Sequence, residues 1–470
     1  MALIQLHNTL SGKKEEFKAF KKTLFGTPKV GMYHCGPTVY NYPHIGNLRA
    51  YVFADTLKRL MLASGFKVQQ VINITDVGHL VSDADTGEDK MEKARLREHK
   101  SAREIADFYT NVFFENLKDL NIDTKSTKFP RATDYIKEQI AIVTTLEKKG
   151  FTYKTSDGIY FDTSKFPHYG KLGNIDITGI REGERIGVNN EKKNPTDFAL
   201  WKLSPVGTAE KREQEWPSPW GVGFPGWHIE CSAMSKALLG ETFDIHTGGI
   251  DHIPVHHNNE IAQSEGSTGK DFVHYWMHSA FMNIEGGKMA KSEGNFVTLA
   301  SVVEKGITPL AYRYFLLGAR YSTPLNFTWE ALEAGAQAYK RLTAAVSELP
   351  DGGKADSALY DKALSFASDD LDTPKTLALL WDILKHDTLS PEDKKATIIK
   401  IDALLGLNLS AVVSRSKALD LPPEILKLAE DRIFARTAKD WKKSDNLRLE
   451  IESLGYDVKD TPEGQQILRK

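Results

Sequence analysis

The chain has 470 residues, of which 41% are apolar, 26% charged and 10% aromatic. This is the composition of a folded protein with several domains, and it excludes a disordered chain, a collagen and a coiled coil as descriptions of the whole molecule. The formal charge of −2 provides no bulk positive field, so any contact with nucleic acid must be local.

Two features predict the compartment. The chain contains two cysteines, Cys35 and Cys231, which is far too few for a scaffold held together by disulfides. The first residues lack the apolar run and cleavage site of a secretion signal, and no apolar run is long enough to span a membrane. We therefore expect a cytoplasmic protein that does not enter a membrane.

The first part of the chain follows a strand, helix, strand pattern. Lys29–Cys35 predicts a short strand, and the glycines and prolines that follow it predict a turn-rich connection. Apolar residues recur at helical spacing from Leu48 to Met61, Gly65 ends the helix, and Val68–Thr75 predicts the next strand. Such a unit is one half of a nucleotide-binding α/β sheet.

The remaining elements extend this pattern. Residues 89–120 predict a long amphipathic helical stretch, and Pro130 opens another that reaches about Gly150. A hairpin and short strands follow, and the α/β pattern resumes at Glu241–Asp251, a strand that enters a glycine-rich turn. The fold class is therefore α/β, a Rossmann-like parallel-sheet domain with an insertion, followed by a helical bundle and a small C-terminal module.

We expect five segments. They are the first half of the Rossmann-like domain (1–120), a connective insertion (121–220), the second half of that domain with a lysine loop (221–308), a helical bundle (309–410) and a C-terminal module (421–470). The double proline Pro422-Pro423 marks the last boundary.

Four residues form a candidate metal site: Cys35, Cys231, His256 and Glu260. His256 and Glu260 are four positions apart in a predicted helix, so their side chains project from one face. Thiolate, imidazole and carboxylate together suit Zn²⁺. The alternative is that the cysteines are small buried apolar residues and that the histidine lies on the surface.

Two further segments could act on a nucleotide. Residues 43–47 (PHIGN) precede a helix, so His44 and the helix N-terminus offer donors to phosphate oxygens, although a capping turn would look the same. Lys288 and Lys291 lie after a Gly-Gly pair, where they could clamp a triphosphate or simply form a solvated surface loop.

Taken together, the ordered motifs resemble the cysteinyl-tRNA synthetases, a family of class I aminoacyl-tRNA synthetases. The matching segments are 35–40 (CGPTVY), 44–47 (HIGN), 73–76 (NITD), 217–221 (PSPWG), 226–234 (GWHIECSAM), 256–263 (HHNNEIAQ), 288–292 (KMAKS) and 438–441 (AKDW). They extend along nearly the whole chain.

The resemblance implies a role for each candidate residue. The four metal ligands would hold one Zn²⁺ that takes the thiolate of the substrate L-cysteine, with Mg²⁺ accompanying ATP. The cysteine pocket would contain Gly36, Thr38, Thr75 and Trp227. The ATP site would use His44, Asn47, Lys288 and Lys291 as catalytic groups on the phosphates, and Gly248, Gly249 and Asp251 near the ribose. For Trp227, a place in the apolar core is compatible with this role.

The C-terminal module resembles the anticodon-binding module of the family. The resemblance implies that Arg436, Trp441, Asp445 and Asp460 contact the bases of tRNA(Cys), since Trp and Arg planes stack on unpaired bases and carboxylates accept from their edges. The alternative is a charged surface helix with Trp441 packed inward. We expect a monomer.

The sequence departs from the family at several positions and leaves two rival functions. HIGH reads HIGN at Asn47, KMSKS reads KMAKS at Ala290, HHENE reads HHNNE at Asn258, and VGHL follows NITD where the family often has acidic residues and lysine. The rivals are a cysteine ligase that acts on an amino-sugar and a noncatalytic zinc-stabilised RNA-binding paralogue. The C-terminal module argues against the first, and the two lysines argue against the second.

Overall fold

The computed structural model describes residues 3–22, 26–78, 90–175, 191–204, 212–284, 296–410, 422–437, 440–461 and 464–469. The strands are β1 Gln5–Asn8, β2 Lys13–Glu16, β3 Lys21–Lys22, β4 Pro28–His34, β5 Lys67–Ile72, β6 Thr127–Lys128, β7 Thr152–Lys154, β8 Gly158–Phe161, β9 Phe198–Leu203, β10 Trp216–Ser218, β11 Gly221–Pro225, β12 Phe243–Gly249, β13 Val273–Ser279, β14 Met282–Ile284, β15 Leu325–Phe327, β16 Tyr456–Thr461 and β17 Gly464–Arg469.

The α-helices are α1 Ile45–Ala63, α2 Lys90–Glu98, α3 Ala102–Asp119, α4 Ile136–Lys148, α5 Ile229–Leu239, α6 Asn258–Thr268, α7 Leu299–Glu304, α8 Pro309–Leu317, α9 Trp329–Glu348, α10 Ser357–Ser368, α11 Thr373–Leu384, α12 Pro391–Leu405, α13 Pro423–Thr437 and α14 Trp441–Ser453. In the described ranges, none of these helices combines the length and apolar character that crossing a membrane requires.

The central sheet carries the predicted α/β pattern. Its order is β13-β12-β4-β5-β6, and the pairings along this path are parallel, while β3 pairs antiparallel with β4. Parallel strands end at the same edge, so the turns after β4, β5, β12 and β13 lie side by side. The predicted strand, helix and strand of the first part of the chain are confirmed as β4, α1 and β5.

A second sheet lies in the predicted insertion. It is antiparallel, with the order β10-β11-β9-β8-β7. Stacked rings of Phe161 and Phe198, 5.1 Å apart, help to fill its apolar face. This face shares one core with residues of α4, α5 and α6, so the insertion supports the helices that follow it.

One predicted helical stretch is divided in the structure. The stretch at 89–120 forms α2 and α3, because His99 adopts a left-handed φ of 54° and Ser101 caps α3. The C-terminal module contains two helices and the hairpin β16–β17, and it has its own small apolar core.

A buried arginine ties the helical bundle to the central sheet domain. Arg313 of α8 is fully buried and donates from Nη2 to Asp55 Oδ2 of α1 at 2.5 Å. Its other donors reach the carbonyls of Leu405 at 2.7 Å and Leu120 at 2.8 Å. One side chain thus connects α1 and α8 to the ends of α12 and α3.

Candidate active site and metal centre

A cavity of about 440 Å³ opens at the carboxyl edge of the central sheet. Most of the residues predicted for catalysis and substrate binding line it: Cys35, Gly36, Thr38, His44, Asn47, Thr75, Trp227, Cys231, Gly248, Gly249, Asp251 and His256. Glu260 lies beside this wall, with Oε1 2.9 Å from Nε2 of His256. The structure therefore brings these thirteen predicted residues together.

The turns after β4 and β5 are joined by backbone hydrogen bonds. Val39 N donates to Thr75 O at 3.1 Å, and Thr38 and Thr75 form a parallel bridge. Gly36 N donates to Asn73 Oδ1 at 2.7 Å, and a Cβ at Gly36 would come within 1.5 Å of the Asn73 carbonyl oxygen. Only glycine fits here, and this close approach fixes the chain next to Cys35.

The N-terminus of α1 points its donors toward the cavity. His44 Nδ1 accepts from Asn47 N at 3.2 Å, and His44 N donates to Asn47 Oδ1 at 3.2 Å, so the two residues form a reciprocal cap. Because Nδ1 accepts, the neutral ring of His44 carries its proton on Nε2, which makes Nε2 a donor. Since its oxygen accepts, Asn47 presents an amide NH₂ where the family signature has histidine.

Four potential metal donors converge from separate elements. One donor atom each from Cys35, Cys231, His256 and Glu260 lies within 4.8 Å of all the others, and all four residues are buried. Both cysteines carry free thiols. Glu260 Oε1 lies 2.9 Å from His256 Nε2, in the same cluster as the two thiols. A carboxylate, an imidazole and two thiols that converge in this way are the kinds of donor that Zn²⁺ takes, so the set fits a metal ion.

The charges of this cluster favour a cation. Burial alone would raise the pKa of Glu260, but His246 and His256 lower it to about 2. The hydrogen bond from Cys35 lowers the pKa of Cys231 to about 7, while burial raises the pKa of Cys35. Burial lowers the pKa of His256, but Glu260 and Cys231 outweigh it and raise this pKa to about 10. The carboxylate of Glu260 and the thiolate of Cys231 thus stabilise a positive charge at the position of the His256 ring.

Sequence reasoning missed a group of buried histidines behind the cluster. Cys35, His246, His257 and Glu260 form a second set of atoms within 4.8 Å. Unlike Cys231 and His256, however, His246 and His257 do not belong to the residues that line the cavity. A ligand in the cavity can therefore contact Cys231 and His256 directly, but not His246 and His257.

These histidines orient the cavity-lining ligands. His257 Nε2 lies 3.2 Å from Cys35 Sγ, and His257 Nδ1 lies 2.7 Å from Nε2 of His278, whose own Nδ1 is 2.7 Å from Thr9 Oγ1. Burial lowers the pKa of both His257 and His278, so they are neutral. Their contact depends on the parallel pairing of β12 with β13, which brings Gly248 opposite His278 and which the sequence pattern does not show.

Trp227 and Thr75 form the part of the wall next to His256, and Glu230 lies behind Thr75. The rings of Trp227 and His256 lie 4.8 Å apart at 40°. Thr75 Oγ1 donates to Glu230 Oε2 at 3.1 Å. Burial and the nearby Asp76 raise the pKa of Glu230. Glu230 was not predicted for the site, since only the fold places it behind Thr75.

The end of β12 brings backbone close to the cavity. A Cβ at Gly248 would lie 2.7 Å from the ring atoms His252 Nδ1 and His257 Cε1, so this position excludes larger residues. A Cβ at Gly249 would lie 2.3 Å from Oδ1 of the exposed Asp251, which stands at the cavity wall.

The departure at Asn258 has a structural reason. Asn258 Nδ2 donates to the carbonyls of Leu172 at 3.1 Å and Ile253 at 2.7 Å, while Oδ1 accepts from Leu172 N at 3.1 Å. A carboxylate could not donate to these two carbonyls. Asn258 thus ties α6 to the insertion and is not one of the four converging donors.

Lys288 and Lys291 lie outside the described residues, but both flanking segments contact α1. Arg49 of α1 donates from Nη1 to the carbonyls of Ala280 at 2.9 Å and Phe281 at 2.7 Å. On the other side, Ile45 N donates to Val297 O at 2.9 Å. The helix that presents His44 therefore also holds the chain before and after this segment.

The four residues predicted to contact tRNA lie in the C-terminal module and not at the cavity. Trp441 is 57% exposed, so it does not pack inward. Arg436 and Asp460 pair with each other at 3.1 Å, and Asp460 also accepts two bonds from buried Arg432 at 3.0 Å. Asp445 is exposed on α14. The carboxylate of Asp460 is therefore engaged by two guanidinium groups of its own module.

Comparison with known proteins agrees with this geometry. Residues 22–337 match the family model of the tRNA synthetases class I (C) catalytic domain, and residues 418–467 match the cysteinyl-tRNA ligase anticodon binding domain. A cysteine–tRNA ligase of Burkholderia lata is 48% identical over 93% of this chain and 92% of its own. One of Treponema denticola is 41% identical over 97% and 98%.

Solved structures support the fold. A methionyl-tRNA synthetase of Mycobacterium tuberculosis bound by methionyl-adenylate superposes with a TM-score of 0.55 at 14% identity, over 84% of this chain and 95% of that one. A LeuRS–tRNA–LeuAMS complex of Agrobacterium radiobacter K84 superposes with a TM-score of 0.59 at 11% identity, over 87% and 86%. With the relatives matching at near full length and the catalytic-domain model covering most of the chain, this protein belongs to the cysteine–tRNA ligase family of class I aminoacyl-tRNA synthetases.

Proposed function

We propose that this chain ligates L-cysteine to tRNA(Cys) in two ATP-dependent steps. In the first, the carboxylate of cysteine attacks the α-phosphate of ATP, which forms cysteinyl-adenylate and releases pyrophosphate. In the second, a hydroxyl of the terminal ribose of tRNA attacks the acyl carbon, and AMP leaves. The observation that carries the proposal is the convergence of four buried metal donors on the cavity that also receives the N-terminus of α1.

The metal ion of this proposal is Zn²⁺, held by Cys35, Cys231, His256 and Glu260. When bound, it supplies a position that takes the thiolate of cysteine but neither the hydroxyl of serine nor the methyl of alanine, so discrimination needs no editing site. His246 and His257 support this set by contacting Glu260 at 2.9 Å and Cys35 at 3.2 Å.

The remainder of the amino acid occupies the wall beside the cluster. Gly36 and Thr38 present backbone there, Trp227 packs against the substrate as an aromatic wall, and Thr75 is oriented by its bond to Glu230. These contacts fix the carboxylate of cysteine relative to ATP, and alignment of this kind accounts for much of the rate of a bimolecular step.

The phosphates of ATP lie at the N-terminus of α1. His44 Nε2, the amide of Asn47 and the positive end of the helix are donors to charge that grows on the α-phosphate. Lys288 and Lys291 add two further cations, with Mg²⁺ accompanying ATP. Gly248 and Gly249 admit the ribose close to the backbone, and Asp251 accepts from a ribose hydroxyl.

The C-terminal module reads the anticodon. Trp441 is exposed for stacking, and Arg436 lies 5.8 Å from its ring, so both can contact unpaired bases. Asp445 can accept from base edges, while Asp460 holds Arg436 in place. The segment boundaries, the monomeric state and the cytoplasmic location remain predictions.

One pair of assays tests the proposal. Cysteine-dependent exchange of pyrophosphate into ATP measures the first step, and charging of tRNA with and without the GCA anticodon measures the second. An amino-sugar ligase would show exchange without anticodon-dependent charging, and a noncatalytic paralogue would show neither.

The Lys291→Ala variant tests the catalytic role of the lysine segment. We expect it to lower the rate of exchange by about 10²-fold, the loss typical of one preorganised donor, with the cysteine KM little changed because Cys35 and Cys231 remain. Loss of cysteine binding at an unchanged turnover number would contradict this role.

A further inference from the structure

Exposed aromatic side chains lie at the opening of the cavity. Tyr42, in the turn before α1, lines the cavity and is 43% exposed. Phe108 of α3 is 40% exposed and meets Tyr42 edge to face, with ring centroids 6.1 Å apart at 87°. Phe108 does not belong to the cavity lining, so this pair extends from the cavity onto the outer surface. We call Tyr42 and Phe108 the aromatic rim.

The aromatic rim is held in place from below. Tyr109 contacts both rings, with centroids 5.2 Å from Tyr42 and 5.0 Å from Phe108. The hydroxyl of Tyr109 donates to Glu98 Oε1 at 2.7 Å, and Tyr109 itself is buried. A buried, hydrogen-bonded ring thus supports two exposed ones, which limits the entropy that the rim would lose on binding a ligand.

The charges around the rim are balanced. Lys100 Nζ lies 5.2 Å from the centre of the Phe108 ring. Glu98 pairs with Arg97 at 2.5 Å, and Asp107 pairs with Arg131 at 2.6 Å. Lys100 Nζ also lies 3.9 Å from Glu98 Oε2. The surface therefore offers aromatic faces and no strong field of one sign, which favours a ligand that binds by stacking.

We propose that the aromatic rim stacks on the unpaired bases at the 3′ end of tRNA. This inference rests on the proposed function, because the second step requires the terminal ribose to enter the cavity while the preceding nucleotides remain at its opening. Stacking on aromatic rings holds any base, and Lys100 can neutralise one of the phosphates. Tyr42 contacts the nucleotide nearer the cavity, and Phe108 contacts the one before it.

The Phe108→Ala variant tests this, since Phe108 lies outside the catalytic cavity. We expect kcat/KM for tRNA in the charging reaction to fall about 5- to 150-fold, the range that corresponds to losing one base–aromatic stack. Pyrophosphate exchange is expected to be unchanged, and Phe108→Trp is expected to retain charging. Phe114→Ala is the matched control, because Phe114 is also exposed on α3 but packs edge to face on Phe129.

A binding titration separates stacking from a structural effect. Wild-type enzyme is expected to bind intact tRNA more tightly than tRNA that lacks its last four nucleotides, and Phe108→Ala is expected to lose that difference while it binds truncated tRNA as wild type does. The loss should be the same at low and high salt, since no charge is removed.

Three outcomes would overturn the inference: charging by Phe108→Ala at the wild-type rate, an equal loss of affinity for intact and truncated tRNA, or a parallel loss of pyrophosphate exchange. Each leaves the proposed function standing, because wild-type enzyme still charges tRNA. Failure of the wild-type enzyme to charge tRNA would instead refute the proposed function.

Discussion

The cavity and the C-terminal module place their functional side chains in opposite environments. At the cavity, Cys231, His256 and Glu260 are buried and contact one another. In the C-terminal module, Trp441 is 57% exposed, and the ion pair of Arg432 with Asp460 reaches the surface, where the carboxylate is 36% exposed.

The difference follows from what each region must bind. A group that selects a thiolate and stabilises growing charge works best where water is excluded and the dipoles are fixed. A surface that reads unpaired bases must leave its aromatic rings open. Substitutions in the two regions should therefore differ in size and in the step of the reaction that they affect.

The largest effect is expected for Cys231→Ser. A serine hydroxyl is a far weaker ligand for Zn²⁺ than a thiolate, so we expect the bound metal to be lost and cysteine-dependent exchange to fall more than about 10²-fold, beyond the loss of 10–100-fold typical of an outer-shell partner. Elemental analysis and exchange kinetics measure the two quantities.

The neighbouring Ser232→Ala is the control for this variant, since Ser232 is buried in the same helix and donates to Gln263 Oε1 at 2.7 Å. It should keep its metal and most of its activity. Active wild-type enzyme that contains no zinc would contradict the assignment.

The next effect concerns stability. Arg313 and Asp55 are both fully buried, so Arg313→Met leaves a carboxylate that only Arg59 still pairs. Breaking a buried pair in this way costs about 3–5 kcal/mol of unfolding free energy. Chemical denaturation of Arg313→Met and of Arg432→Met, which lies in the C-terminal module, measures how much unfolding free energy each variant loses.

Arg432→Met should cost less, because its partner Asp460 is partly solvated and keeps Arg436. Adding Asp55→Asn to Arg313→Met should restore part of the lost stability, since the unpaired charge is removed. Equal losses for the two arginine variants would show that burial does not distinguish the two regions.

The sequence was sufficient for residues whose roles depend on local pattern. The alternation of strand, helix and strand predicted β4, α1 and β5, and the four-residue spacing predicted that His256 and Glu260 share a face. Asn47 also follows a local rule, since it forms a helix cap with His44.

What depends on strand order could not be predicted in this way. The contact of His257 with His278 requires β12 and β13 to be neighbours, and the five carbonyls that receive Arg49 come from two loops distant in sequence. The pairing of Asp460 with Arg432 likewise depends on how β16 packs against α13. Periodicity describes one element at a time, so it carries no information on such pairs.

A smaller effect, confined to the second step, is expected for Trp441→Ala. Losing one base–aromatic stack weakens tRNA binding by about 1–3 kcal/mol. Pyrophosphate exchange stays unchanged, because Trp441 belongs to a module that has its own apolar core and is far from the cavity-lining residues in sequence. Deleting residues from Leu421 onward should reduce charging more severely and again spare exchange.

Leu449→Ala is the control for this variant, because Leu449 is an exposed apolar residue of the same helix. Charging assays with and without the GCA anticodon measure the effect. Full charging by the truncated chain would show that the module is not needed for tRNA recognition.

The smallest effect is the pH dependence of the C-terminal module. The hydrogen bond from Arg432, helped by Arg436, lowers the pKa of Asp460 in the folded state. The pKa of an unfolded aspartate is about 3.9, so the ion pair stabilises the module above that pH, and the stabilisation is lost as the pH falls through the lower folded value. The chain has eight tryptophans, and Trp441 is the one within residues 418–467. The difference in fluorescence between the wild type and Trp441→Phe, followed during denaturation at a series of pH values from neutral to acid, therefore reports this module. Asp460→Asn should flatten the acid side of the stability–pH profile, and Asp445→Asn, at an exposed position, should leave that profile unchanged.

The salt dependence of this profile gives a second test. Because Asp460 is partly exposed, the loss of stability at acid pH should shrink in high salt, whereas the stability lost in Arg313→Met should not depend on salt. A salt-independent pH profile would mean that Arg432 and Asp460 behave as a buried pair, and that the module resembles the catalytic core more closely than its exposed tryptophan suggests.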